Sequence, residues 1–444
     1  MTQSVVVLPK SFDLSEPIET LPPGTNSKLI SVRPISGGTF TQNQIIECDL
    51  LSQGWLQPES LSIRYKMRVN TDATGAALIG VPVFTAFNRL SCSINSVVID
   101  SIANYNQVMS LYVAGNLSIA DRYGAQAMYG FSNPDPSGNT GNMEYLDGRA
   151  FDPSIVDASA NSTFTMAAPL YGTLLSSASK NIPLFALPTI RFSFNLDSIA
   201  NMSFIKSGAA GVGYTAFTKV EIFNFELCYN SIEIPGSERM VASLGRQVMI
   251  KSHGLNNSTI NVPSGSSGSQ SYVYNQRFQS IRNAFLLPTR ADGNGNKWAE
   301  ICDLTNGNGS YQLSIAGTPY PPQPLSTALN NNGVLCETRR AFGSLFDNKN
   351  SLSINTAEFS KDINDAANTL FYYQPGKAIV GICLSKVGVG DSVQMAGVST
   401  ANSAITANVE LQTATSVAAS LSLVLDYDAL LVIDPLARQI AIRS

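Results

Sequence analysis

The sequence predicts an all-β protein built as two tandem β-sandwiches. Three observations carry this reading. Apolar and polar residues alternate at period two in several stretches, turn-forming residues punctuate those stretches, and the order strands, helix, strands runs twice along the chain.

The clearest alternation spans residues 60–69. Leu61, Ile63, Tyr65, Met67 and Val69 share one side, and Ser60, Ser62, Arg64, Lys66 and Arg68 the other. This is the pattern of a strand with one face buried. It recurs over 420–433, through Leu421, Leu423, Leu425, Tyr427, Ala429, Leu431 and Ile433, and over 405–411. Further strands are expected near 28–35, 43–50, 86–94, 97–103, 162–168, 188–196, 217–228, 246–262, 272–287, 351–359 and 378–385. Asn95-Ser96 between two such runs predicts a hairpin. Pro22-Pro23-Gly24, Gly37-Gly38, Asp292-Gly293, Asn306-Gly307 and Asn332-Gly333 mark turns or loops.

Helical spacing is confined to a few places. Tyr105, Val108, Met109 and Tyr112 fall on one face, in a helix that extends in broken form towards Met128. A second helix is expected over 334–346, with Leu335, Phe342 and Leu345 on one side and Arg339 and Arg340 turned away. A third, short helix is expected at 236–244. The first helix is followed by a Gly/Asn/Pro/Asp-rich loop over 129–160, and the second is preceded by a Pro-rich turn, Tyr320 to Pro324. No residue-level repeat relates the halves. The division expected is an N-terminal arm (1–27), a first sandwich (28–234), a second sandwich (235–434) and a C-terminal tail (435–444). Many strands with long loops favour jelly rolls, eight-stranded in each half, with a few short flanking helices.

Composition narrows the function. A chain of 444 residues can bury a large core without disulfides or metal. Charged residues make up only 14%, against about 25% in an average soluble protein. Such a surface suits a protein covered by neighbours, because charges are depleted where interfaces are fully buried. The net charge is −4, and residues 1–27 carry one Lys against Asp13, Glu16 and Glu19. A chain that coats nucleic acid directly needs clustered cations, so no direct nucleic-acid binding is expected. The start of the chain lacks the basic stretch of a signal peptide. The longest apolar run, Leu421 to Ile433, is interrupted by Asp426 and Asp428, so a soluble protein made inside the cell is expected.

Chemistry-bearing constellations are absent from the pattern. Cys48, Cys92, Cys228, Cys302, Cys336 and Cys383 have no metal-ligand spacing and read as buried free thiols. The single histidine, His253, has no G-x-S-x-G nucleophile to serve and reads as structural or surface-exposed. Asp426 and Asp428 share one strand face. A shared calcium ion is the weaker reading and solvated or interface carboxylates the stronger. Gly208–Gly213 lacks a lysine and precedes a strand, and Gly376-Lys377 lacks the earlier glycine of a phosphate loop. No catalytic, cofactor-binding or metal residue is assigned, and no enzyme is expected.

Three stretches resemble a known family. They are Phe87–Val113 (FNRLSCSINSVVIDSIANYNQVMSLYV), Tyr320–Phe359 (YPPQPL, then GVLCETRRAFGSLFDNKNSLSINTAEF) and Leu421–Ile442 (LSLVLDYDALLVIDPLARQIAI). They resemble the double jelly-roll major capsid proteins of Polinton-like viruses, virophages and adintoviruses, in the lineage of adenovirus hexons. The resemblance implies two upright jelly rolls, a homotrimer of pseudo-hexagonal outline and an icosahedral shell of a DNA virus. It further implies a location in the virion, penton and minor capsid or cement proteins as partners, and room for an internal membrane beneath the shell. Loops 129–160 and 288–310 would form towers or clasps. A single shell domain with a protrusion fits less well, because the basic arm common in small RNA-virus capsids is absent. The alternative from another class is a carbohydrate-binding or adhesive β-sandwich protein. Only Trp55 and Trp298 could serve as its exposed aromatic platforms.

Overall fold

The computed structural model describes residues 22–70, 76–78, 82–116, 162–205, 219–243, 247–290, 303–328, 332–343, 359, 378–385, 395, 397–415 and 418–444. The first half contributes β1 (Asn26–Val32), β2 (Thr39–Phe40), β3 (Ile45–Asp49), β4 (Trp55–Leu56), β5 (Ser62–Asn70), β6 (Ala76–Leu78), β7 (Phe87–Ile94), β8 (Val97–Ala103), β9 (Ser162–Pro169), β10 (Ile182–Pro183), β11 (Ile190–Leu196), β12 (Ser203–Ile205) and β13 (Lys219–Glu233). Among these lie α1 (Pro82–Thr85), α2 (Tyr105–Asn116) and α3 (Ile199–Met202). After α4 (Ser237–Ser243) the second half contributes β14 (Val248–Val262), β15 (Gly268–Tyr274), β16 (Ile281–Arg290), β17 (Ser310–Ile315), β18 (Thr318–Ser326), α5 (Asn332–Ala341), β19 (Val380–Cys383), β20 (Ile405–Leu411), β21 (Ala419–Asp434) and β22 (Gln439–Arg443).

Each half stacks a larger sheet on a four-stranded one. The four-stranded sheets run β3-β11-β7-β8 and β15-β20-β17-β18. The larger sheets centre on the long strands β13 and β21. On β13, β1 and β2 lie to one side and β5 then β9 to the other. On β21, the neighbours are β14 on one side and β16 then β19 on the other. Taking β1 and β2 as one interrupted strand, the two halves have eight principal strands each, paired in the same order. In both, the helix α2 or α5 follows the fifth strand. The repeat hidden in the sequence is therefore a repeat of topology.

The alternating stretches bury the faces expected. Leu61, Ile63, Tyr65 and Met67 are buried while Arg64 is exposed. Tyr65, Phe87, Phe194 and Phe225 form the aromatic centre of the first core, with ring centroids 5.1–6.1 Å apart. The Tyr65 hydroxyl, which no water can reach, donates to the Val83 carbonyl at 2.6 Å. Asn95 and Ser96 both adopt positive φ (50° and 64°), the backbone of a tight two-residue hairpin.

Several expectations need correction. The Pro-rich segment 320–324 is not a turn but part of strand β18, at the edge of its sheet. An edge strand tolerates prolines because its outer N–H groups pair with nothing. Residues 272–287 are not one strand. They divide between β15 and β16, which lie in different sheets. Residues 435–444 are not a free tail, since β22 folds back to pair Leu431 with Ile442 and Ile433 with Ile440. The 420–433 stretch is buried on both faces, Ser422, Val424, Asp426 and Asp428 included, because a second layer covers its polar side. Cys48, Cys92 and Cys228 are buried free thiols as expected, but Cys383 is only half-buried and Cys336 is exposed on α5. Cys302, the helix extension to 128, the loops 129–160 and 291–302, the strand at 351–359 apart from Phe359, and the two Gly-rich segments lie outside the described residues.

Truncating the aromatic centre tests this packing. Phe225→Ala removes a ring that touches Tyr65, Phe87 and Phe194, and is expected to cost about 3–5 kcal/mol in urea unfolding.

Candidate functional site: the seam between the two sandwiches

The densest buried polar chemistry lies where the halves meet. Strand β14 is an edge of its own sheet, so its outer N–H and C=O groups need partners. The first half supplies them. Leu255 donates its amide to the Gly172 carbonyl at 3.0 Å, and Ser179 donates to the Lys251 carbonyl at 2.8 Å. The Ser252 hydroxyl donates to the Leu174 carbonyl. Further along, Asn257 donates its side-chain amide to the Ala103 carbonyl at 3.1 Å, and Asn104 reaches Thr259 Oγ1 at 3.4 Å. The end of β8 thus meets the edge of β14 through side chains, while residues 172–179 bond to it through the backbone. Gly172 makes the approach feasible. At φ +78°, its added Cβ would stand 2.5 Å from Leu255 Cδ1.

Helix α2 forms part of the cover over the outer face of the second half's larger sheet. Gln107 on α2 accepts from the Ser422 hydroxyl at 3.3 Å. Phe342, just beyond α5, packs between Tyr112 on α2 and Phe285 on β16, with centroids at 6.3 and 4.6 Å. Beneath this cover run Asp426 and Asp428. Asp428 is 1% exposed, accepts from Ser280 Oγ at 2.8 Å, and faces Lys251 Nζ at 3.6 Å and Arg282 Nε at 4.0 Å. Asp426 accepts from Asn283 Nδ2 at 2.9 Å. Against the sequence readings of a shared calcium ion or of solvated or interface carboxylates, both acids are buried and not solvated. Among the described residues no group of three metal-ligating side chains exists.

His253 lies on β14 opposite Asp428. Burial pulls its pKa down, opposed by Asp426 and aided by Arg282, so the ring is neutral at pH 7. Asp100 on β8 was not singled out by sequence reasoning. It is 6% exposed and accepts the Leu174 amide at 2.9 Å. Burial raises its pKa to about 7, partly countered by the Leu174 and Ser101 amides. The local signal, one acid in VVIDSIA, is common to many surface strands. Its burial depends on distant residues, among them Leu174 and, across the seam, Tyr427.

No family model and no curated protein matches the sequence. Comparison with solved structures gives whole-length matches. The major capsid protein of Faustovirus superposes with a TM-score of 0.62 at 11% identity, over 95% of this chain and 93% of that one. The Sputnik virophage structure gives 0.58 at 16%, over 99% and 93%. The mavirus major capsid protein gives 0.54 at 10%, over 100% and 96%. The chain has the double jelly-roll fold. The two sandwiches are its two rolls, each with eight principal strands. Among the described residues no helix is long and apolar enough to cross a membrane.

Asp100 yields a pH prediction. Its folded pKa lies above the unfolded value of 3.8, so folding holds a proton that unfolding releases. Stability from this group is full below pH 4 and declines as pH rises towards 7, with a limiting slope of about 1.4 kcal/mol per pH unit. Asp100→Asn is expected to remove that slope and to gain on the wild type between pH 5 and pH 8. Urea unfolding at both pH values reads this out, and equal slopes in the two proteins would refute it.

Proposed function

We propose that this protein is the major capsid protein of an icosahedral virus, a non-catalytic subunit of the virion shell. The single observation that carries the reading is the twofold repetition of one roll within a chain that matches viral major capsid proteins end to end. Two like rolls per chain give three chains six similar corners, the outline needed to tile a shell by hexagonal packing. A head-to-tail contact that closes after three copies leaves no open fibre. The low charge content supports this, because a surface mostly covered by neighbours has few charges to desolvate.

The rolls are taken as 28–234 and 235–434, with α4 at the start of the second. Penton and minor capsid proteins would complete the shell. The acidic balance of residues 1–27 supports a genome held by other proteins rather than by this arm.

Light scattering after gel filtration is expected to give a species near three times the 47.4 kDa chain mass, or larger shells, and negative-stain images hexagonal outlines. A monomer at every concentration and salt would overturn the proposal and bring forward the adhesive β-sandwich. Purified protein is also expected to hydrolyse no common ester, peptide or glycoside substrate. Activity lost on mutating one acid pair would count against a purely structural role.

A further inference from the structure

Residues 172–179 belong to the first roll, yet three hydrogen bonds leaving them go to β14 of the second. Gly172 accepts the Leu255 amide at 3.0 Å, and Ser179 donates its amide to the Lys251 carbonyl at 2.8 Å. The Leu174 carbonyl accepts the Ser252 hydroxyl. Among the described residues one bond ties the segment back to a strand of the first roll, from the Leu174 amide to Asp100 Oδ2 on β8 at 2.9 Å. Leu174 is therefore held on its N–H side by an acid of roll one and on its C=O side by a hydroxyl of roll two. Its side chain and the Tyr427 hydroxyl fill the space that Gly254 leaves open. A Cβ added there would stand 2.9 Å from Leu174 Cδ2 and 2.8 Å from Tyr427 Oη.

Among the described residues no cation balances Asp100 once its proton is lost. Across from it on β7 stands Cys92, and from β21 Tyr427 faces it. Both groups are neutral or anionic, and burial holds both above their ordinary range, with the Asp100 charge adding to the effect. Residues 172–179 carry no titratable side chain, and Lys180 just beyond them is exposed. The charged groups of β14 are engaged elsewhere. Lys251 Nζ lies 3.6 Å from Asp428, and His253 faces Asp426, Asp428 and Arg282. Only the Leu174 and Ser101 amides counter the burial. A carboxylate in this place gains by opening to water, whereas a neutral carboxyl group gains little.

We propose that residues 172–179 are a proton-operated latch between the two rolls, closed while Asp100 is neutral and released when it ionises. Opening brings water to the carboxylate, withdraws the Leu174 amide and frees the Leu255 amide and the Lys251 carbonyl on the edge of β14. Burial raises the Asp100 pKa to about 7, which sets the working range. The latch holds in mild acid and loosens by roughly tenfold for each pH unit above that value. Both of its sides lie in one chain, so it does not depend on the shell-subunit reading.

The test is hydrogen–deuterium exchange of the full chain, read by mass spectrometry and corrected for the intrinsic pH dependence of amide exchange. It compares the wild type with Asp100→Asn, which keeps an acceptor oxygen for the Leu174 amide but cannot ionise. At about pH 5.5 the peptides covering 172–179 and 251–257 are expected to exchange alike in the two proteins. At about pH 8.5 they are expected to exchange roughly tenfold or more faster in the wild type, while peptides from β13 exchange alike in both. Should the variant fail to fold, the wild-type profile alone carries the test, with an expected midpoint at about 7. Equal exchange of the latch peptides at the higher pH, or a flat wild-type profile, would overturn the proposal. So would an equal loosening of β13, because that marks opening of the whole protein rather than of a latch.

Discussion

The exposed backbone edge of β14 is the constraint from which the rest of the architecture follows. Its outward N–H and C=O groups must bond to something, and a fifteen-residue strand left open would pair with any other chain. The first roll closes it with the 172–179 segment and with the end of β8. That closure fixes the angle between the rolls, brings α2 over the second larger sheet, and buries β21 on both faces. A chain with two separately solvated sandwiches would have no reason to place Asp426 and Asp428 under a second layer.

Burying those carboxylates has a cost that the seam offsets locally. Asp428 has a hydroxyl donor and two cations at 3.6 and 4.0 Å, and Asp426 has the Asn283 amide. A buried charge network of this kind is rarely a net source of stability, because desolvation consumes most of the Coulomb gain. Its value lies in geometry. All its members belong to the second roll, where they tie β14 and β16 to β21 in a single register. Asp100 takes the opposite course. With the Leu174 and Ser101 amides as its donors and no cation to pair it, it is held towards its neutral form by burial.

The two rolls manage their edges differently according to what covers them. β8 and β14 protect each other within the chain. β18 carries Pro319, Pro321, Pro322 and Pro324, which prevent ladder extension while leaving the side chains free for contact. β1 carries exposed Leu29 and, just beyond it, Ile35.

Much of the fold was legible in the residues. Leu61 to Met67 and Leu421 to Ile433 announced strands because side chains alternate across a sheet whatever lies beyond it, and Tyr105, Val108, Met109 and Tyr112 announced α2 by the same local geometry. Local rules failed at β18, where prolines read as a turn, and at β22, whose pairing with β21 is a tertiary event. The candidate site was barely legible. Asp100, Asp426 and Asp428 stand in strands where an acid ordinarily faces water, and their burial arises from segments far away along the chain. The sequence by itself determined two β-rich halves with a helix at the same place in each and no local catalytic constellation, because periodicity and spacing are properties of neighbouring residues. Only the tertiary structure decided which edges meet, which acids lose their water and which apolar residues stay exposed, because those depend on surfaces brought together from distant parts of the chain.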